Sequence, residues 1–206
     1  MCWARAGPRA VRNPGGDLAK DGSGELDFTA HFSSDQKVPE PKYTAEELKH
    51  IDDLGVIGET ALKSKGFYTR IVSAVPVGRP RAPSECNVLV VEDHDGTAMV
   101  IVKVLEKFGY HAQRVANSAE LASAMAARPV PDLVLLDVML PDINGFDVLN
   151  RIRQHPVLNT IPVLMVTSKS DRGDIARGLA LGAVGYITKP VLPSTLIDAV
   201  HAILAG

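Results

Sequence analysis

Asp132-Leu133-Val134-Leu135-Leu136-Asp137-Val138-Met139-Leu140-Pro141-Asp142 is the stretch on which the fold turns. An apolar run ends on one carboxylate, Asp137, and the Pro-Asp-Ile-Asn-Gly turn from Pro141 then breaks the pattern. Three other segments behave alike. Val88-Leu89-Val90-Val91 runs into Glu92-Asp93, Val163-Leu164-Met165-Val166 into Thr167-Ser168-Lys169, and Gly185-Tyr186-Ile187-Thr188 into Lys189-Pro190. Continuous Val/Ile/Leu runs suit parallel strands buried on both faces. In open parallel sheets, chemistry collects beyond the carboxyl ends of the strands. Such a sheet would carry Glu92, Asp93, Asp137, Thr167 and Lys189 to one edge.

Outward from that stretch, strand and helix patterns alternate from Asn87 onward. Strands are expected near 87–91, 112–115, 132–136, 162–166 and 184–187. Helices are expected near 96–108, 118–127, 145–154, 172–181 and 193–204. Phe108-Gly109-Tyr110 reads as a helix stop followed by a strand. Asn117 or Ser118 can cap the second helix, and Pro193 suits the first turn of the last. His94 reads as a cap or flank of the first helix rather than as a base. The alternation implies an α/β fold with a right-handed, doubly wound parallel sheet.

The ordered set of acidic pair, strand-end Asp, strand-end Thr and Lys-Pro resembles the receiver domain of two-component response regulators, over residues 86–206. The resemblance implies a flavodoxin-like sheet of five strands in the order 2-1-3-4-5. It implies that Asp137 is the phospho-acceptor. It also implies that Asp93 and Asp137 bind Mg²⁺ directly, Met139 through its backbone carbonyl, and Glu92 mostly through a water. Lys189 would neutralise the phosphoryl group, on a cis bond to Pro190. Thr167 would bind a phosphoryl oxygen and Tyr186 would change rotamer with it. The surface from about 172 to 204 would carry the output. Met139 and Lys169, two residues beyond Asp137 and Thr167, sit where side chains tune phosphoryl lifetime. Glu92 departs from the commoner Asp at its position.

Residue chemistry supports the same reading. Three clustered carboxylates repel by about 4 kcal/mol per pair at 4 Å and an effective dielectric near 20. A hard divalent cation with oxygen ligands relieves that repulsion, and Mg²⁺ uses one or two carboxylates while keeping several waters. A carboxylate is a competent nucleophile toward phosphorus. Phosphoryl transfer needs positioning and charge neutralisation more than covalent help.

Residues 1–42 are rich in Gly, Pro, Ser and charge without a sustained period, and are expected to be disordered. Thr44-Ala45-Glu46-Glu47 has the form of a capping box, and Leu48, Ile51, Leu54 and Leu62 follow at roughly helical spacing. One accessory helix, or two short ones, over about 44–65 and a Pro-rich linker are therefore expected across 43–85, ahead of a receiver at 86–206. Residues 1–85 carry 12 basic and 12 acidic side chains, and residues 86–206 carry 10 and 12. No basic stripe suited to DNA phosphates results, so direct nucleic-acid binding is not expected. Cys2 and Cys86 have neither metal nor disulfide spacing. No apolar stretch is long enough to span a bilayer and no secretory signal is evident, so a cytoplasmic location is expected.

The expected function is that of a stand-alone regulator without a C-terminal DNA-binding domain, since Gly206 follows the last predicted helix. It is expected to be a phospho-accepting signalling protein rather than an enzyme, with self-phosphorylation and autodephosphorylation as its only chemistry. A histidine kinase or phosphotransfer protein would supply the phosphoryl group. A downstream protein would read the switched surface, and a phosphorylation-dependent dimer fits the same scheme. Two alternatives differ in class. An aspartate-nucleophile phosphatase would want a second Asp where Met139 stands. An unphosphorylated interaction module would not need the full residue set.

Overall fold

The computed structural model describes Phe32 and residues 81–204. The expected helix at 44–65 lies outside the described residues, as does the segment 1–42 apart from Phe32. Five strands form one parallel sheet: β1 (Asn87–Val91), β2 (His111–Val115), β3 (Leu133–Leu136), β4 (Val163–Thr167) and β5 (Gly185–Thr188). The order is β2-β1-β3-β4-β5, as the resemblance implies. The helices are α1 (Asp95–Lys107), α2 (Ser118–Ala126), α3 (Gly145–Gln154), α4 (Arg172–Ala180) and α5 (Pro193–Leu204). Observed boundaries fall within a residue or so of those predicted.

Local chemistry explains the boundaries. The His94 side chain accepts from the Thr97 N–H and caps α1. Asn117 accepts from the Glu120 N–H at 2.9 Å and caps α2. Asn144 accepts from the Phe146 N–H at 2.9 Å and caps α3. At the end of α1 the chain reverses through Gly109, whose φ of 89° lies where a Cβ is unfavourable. Proline opens α5, where its missing N–H would have had no helical partner.

The sheet separates two apolar layers. Val88, Val90, Leu133, Leu135, Leu164, Val166 and Ile187 face α1 and α5. Their alternates Leu89, Val91, Val134, Leu136, Val163, Met165 and Tyr186 face α2, α3 and the Ile175 side of α4. Strands β1, β3 and β4 are central and almost wholly buried, which is why they read as unbroken apolar runs. β2 is an edge strand, and its sequence His-Ala-Gln-Arg-Val is mostly polar accordingly. Phe32 is 1% exposed and belongs to the second layer, although it lies some fifty residues before β1.

Before β1, a 3-10 turn spans Pro83–Glu85. The Arg81 guanidinium pairs with Asp132, which also accepts from the Asn87 N–H at 2.8 Å. The chain entering β1 is thereby tied to the start of β3.

Candidate functional site

Register decides which side chains meet. Val91 pairs with Leu136, so the next residues, Glu92 and Asp137, emerge side by side. The Asp137 N–H donates to the Val91 carbonyl at 3.0 Å, and the Glu92 N–H to the Val115 carbonyl at 3.0 Å. The Lys189 N–H donates to the Thr167 carbonyl at 2.9 Å, which holds the β5 exit beside the β4 exit. The Lys189–Pro190 peptide is cis, as the resemblance implies.

Glu92, Asp93 and Asp137 each place a carboxylate oxygen within 4.8 Å of the others. Glu92 and Asp137 are buried, whereas Asp93 is exposed. The Lys189 ammonium lies 2.5 Å from Glu92 Oε2 and 2.6 Å from Asp137 Oδ2. The other Asp137 oxygen, Oδ1, accepts from the Met139 N–H at 3.1 Å. Burial pushes the Glu92 carboxyl above its usual range, while the hydrogen bond and charge of Lys189 pull it back. Three carboxylates and one ammonium leave a net of two negative charges. That charge and the all-oxygen donor set fit a divalent cation of the Mg²⁺ type.

Thr167 is fully buried at the end of β4, and its Oγ1 accepts from the Lys169 N–H at 3.3 Å. Tyr186 is 1% exposed on β5, and its hydroxyl donates to the Lys169 carbonyl at 2.8 Å. The two candidate switch residues therefore grip the same backbone unit from opposite ends. Burial pushes the Tyr186 phenol well above its ordinary value, so it stays a neutral donor.

Several residues that shape the site were not singled out by sequence reading. Gly145, the first residue of α3, packs against the backbone that carries Asp137. An added Cβ there would stand 2.1 Å from the Asp137 carbonyl oxygen and 2.7 Å from Val138 Cα. Its N–H donates to the Val138 carbonyl at 2.9 Å. Gly178 on α4 makes room for Tyr186, and an added Cβ would lie 3.2 Å from two ring carbons. Arg114, at the edge strand, donates to the Glu92 carbonyl at 3.0 Å and the Asp93 carbonyl at 2.6 Å, and pairs with Asp95 at 2.6 Å. It clamps the acidic turn by its backbone. Asp142 accepts from the Ser118 N–H at 3.0 Å and ties the turn after β3 to the start of α2. A glycine after Asn in a turn, or an arginine in a strand, carries no local sign of such a partner.

A family profile described as "Response regulator receiver domain" matches residues 88–201, more than half of the chain. Protein PilH of Pseudomonas aeruginosa is 34% identical over 119 residues, covering 58% of this chain and 98% of PilH. The response regulator PleD of Caulobacter vibrioides is 38% identical over 104 residues, covering 50% of this chain but 23% of PleD. Among solved structures, the signal receiver domain of a signal transduction histidine kinase from Syntrophus aciditrophicus superposes with a TM-score of 0.54. It is 34% identical, covering 59% of this chain and 91% of that one. Among the described residues no helix is long and apolar enough to cross a membrane. Since the profile spans the parallel sheet and most of its last helix rather than one motif within it, this chain belongs to the response regulator receiver family.

Proposed function

We propose that Asp137 accepts a phosphoryl group from a phosphohistidine donor, a histidine kinase or a phosphotransfer protein. The observation that carries this reading is the buried Asp137 carboxylate, with one oxygen on Lys189 at 2.6 Å and the other on the Met139 N–H at 3.1 Å. Both oxygens are oriented before any donor arrives, and positioning is most of what phosphoryl transfer requires. An Asp137 oxygen forms a bond to phosphorus as the phosphorus–nitrogen bond to the donor imidazole breaks. The imidazole nitrogen keeps that electron pair and takes up a proton.

Glu92, Asp93, Asp137 and the Met139 carbonyl are the groups that would hold Mg²⁺, which supplies positive charge beside the phosphoryl oxygens when bound. Lys189 lies on Asp137 itself and offers its ammonium to the transferred group. Thr167 gains a partner for its hydroxyl proton only once a phosphoryl oxygen is present. That differential contact is what shifts a population between two states. Because Thr167 and Tyr186 share Lys169, movement of Thr167 toward the phosphoryl group passes to the turn before α4. The surface of α4, β5 and α5 is then the part read by a downstream protein or by a second copy. Met139 and Lys169 border the acceptor and would set how long the phosphoryl group lasts.

The test is labelling with a phosphorylated histidine donor or with acetyl phosphate. Wild-type protein is expected to take up a hydroxylamine-labile label in the presence of Mg²⁺, and Asp137→Asn none. Label surviving in Asp137→Asn, or label on an acid-stable residue, would overturn the assignment.

A further inference from the structure

One side chain holds the acidic turn after β1 from the edge of the sheet. Val90 and Arg114 are partners in the β1–β2 register, and Val90 faces α1. Partnered residues put their side chains on the same face of a sheet, so the Arg114 stem runs up the α1 side of the edge strand. At its end the guanidinium meets three acceptors in the turn. Nε donates to the Glu92 carbonyl at 3.0 Å, one Nη to the Asp93 carbonyl at 2.6 Å, and the other Nη to the Asp95 carboxylate at 2.6 Å. The Glu92 N–H donates to the Val115 carbonyl at 3.0 Å. Both backbone groups of Glu92 therefore end on successive residues of β2.

The two carbonyls belong to the residues whose carboxylates gather with that of Asp137. The Glu92 carboxylate has restraints of its own, Lys189 at 2.5 Å and the His94 N–H at 3.3 Å. Asp93 is exposed, and among the described residues no hydrogen bond or ion pair holds its carboxylate. What aims that carboxylate is the orientation of its own backbone, and Arg114 fixes it. Groups that orient a metal ligand govern affinity without touching the metal. A planar guanidinium suits the task, because its donors are already arranged as a fork.

We propose that Arg114 is a positioning residue of the metal centre, acting through the Glu92 and Asp93 carbonyls to aim the Asp93 carboxylate at Mg²⁺. The role rests on the Mg²⁺ site proposed above. Arg114 has two opposed effects on that site. As a cation near an anionic cluster it disfavours a second cation, although its pairing with Asp95 damps this effect. As a clamp it favours the metal, because the ligand is already in place before binding. The sign of the change in metal affinity therefore separates positioning from charge.

The test is a titration of the full chain with Mg²⁺ alone, followed by the amide resonances of 92–93 and 137–139. Arg114→Ala removes a positive charge, yet it should weaken Mg²⁺ binding about 10-fold or more, as loss of a ligand-orienting partner does. Arg114→Lys keeps the charge but replaces the fork by a point donor, and should weaken binding by a similar factor. Global stability does not enter, since the titration reads binding to folded protein. Affinity equal to or tighter than wild type in Arg114→Ala, or wild-type affinity in Arg114→Lys, would overturn the proposal. Those outcomes leave the site itself standing. A wild-type chain that binds no Mg²⁺, or binds it equally well as Asp93→Ala, would instead sink the site and the Arg114 role together.

Discussion

The two faces of the sheet are built from alternate residues of the same strands, yet they are different materials. The face under α1 and α5 is lined on the strands mostly by Val, Leu and Ile, with Ala112 at the edge, and two amphipathic helices close it. The face under α2, α3 and α4 contains Tyr186, Phe146, Met165 and the distant Phe32, and it is approached closely by Gly145 and Gly178. The first face needs nothing but volume. The second needs specific shapes at specific places, because it supports the Asp137 backbone and seats the tyrosine that would respond to it. Aliphatic packing dominates one face, and close contacts around Asp137 and Tyr186 shape the other.

Substitutions can separate these roles. The largest loss of stability is expected on the aliphatic face. Leu135→Ala should cost about 2–5 kcal/mol, measured by denaturant unfolding, because a fully buried leucine leaves a cavity. The folded fraction should still accept phosphate at Asp137. A variant that folds but cannot be phosphorylated would mean that the faces are not separable.

Gly145→Ala should cost about 1–3 kcal/mol or somewhat more, since the new methyl meets backbone that cannot rotate away. Unlike Leu135→Ala, it should abolish phosphorylation even where the protein remains folded, because Asp137 and Val138 must shift. Unchanged phosphorylation would show that the close approach serves packing only.

Lys189→Ala should leave the cluster with three carboxylates and no ammonium. Mg²⁺ should then raise the melting temperature more than it does in the wild type, since the cation gains a more negative site. Phosphorylation should no longer shift resonances in 172–204. Normal shifts there on adding beryllofluoride would remove Lys189 from the coupling.

Gly178→Ala should have the smallest effect on stability, within about 1 kcal/mol. Alanine gains roughly that much helix propensity over glycine. The methyl, 3.2 Å from the Tyr186 ring, gives a comparable amount back. The informative readout is the Tyr186 ring in NMR spectra, expected to shift within its buried site by a few tenths of an ångström and so to perturb its bond to Lys169. A ring that stays would mean that α4 moves instead.

The sequence alone determined the parts of this protein that depend on local spacing. Unbroken apolar runs fixed β1, β3 and β4, the caps His94 and Asn117 and the proline at 193 fixed helix starts, and the residue after each run placed Glu92, Asp93, Asp137, Thr167 and Lys189 at one edge. Periodicity and capping are properties of neighbours along the chain, so they are written in order. Only the tertiary structure decided which of those edge groups touch, that Thr167 and Tyr186 meet at Lys169, that Arg114 holds the acidic turn, and that Gly145 and Gly178 are spaces as much as residues. It also decided where Phe32 goes. Phe32 closes a short alternation, Leu26-Asp27-Phe28-Thr29-Ala30-His31-Phe32, which does not name what it packs against, and its burial is set by a surface formed only after the strands have paired.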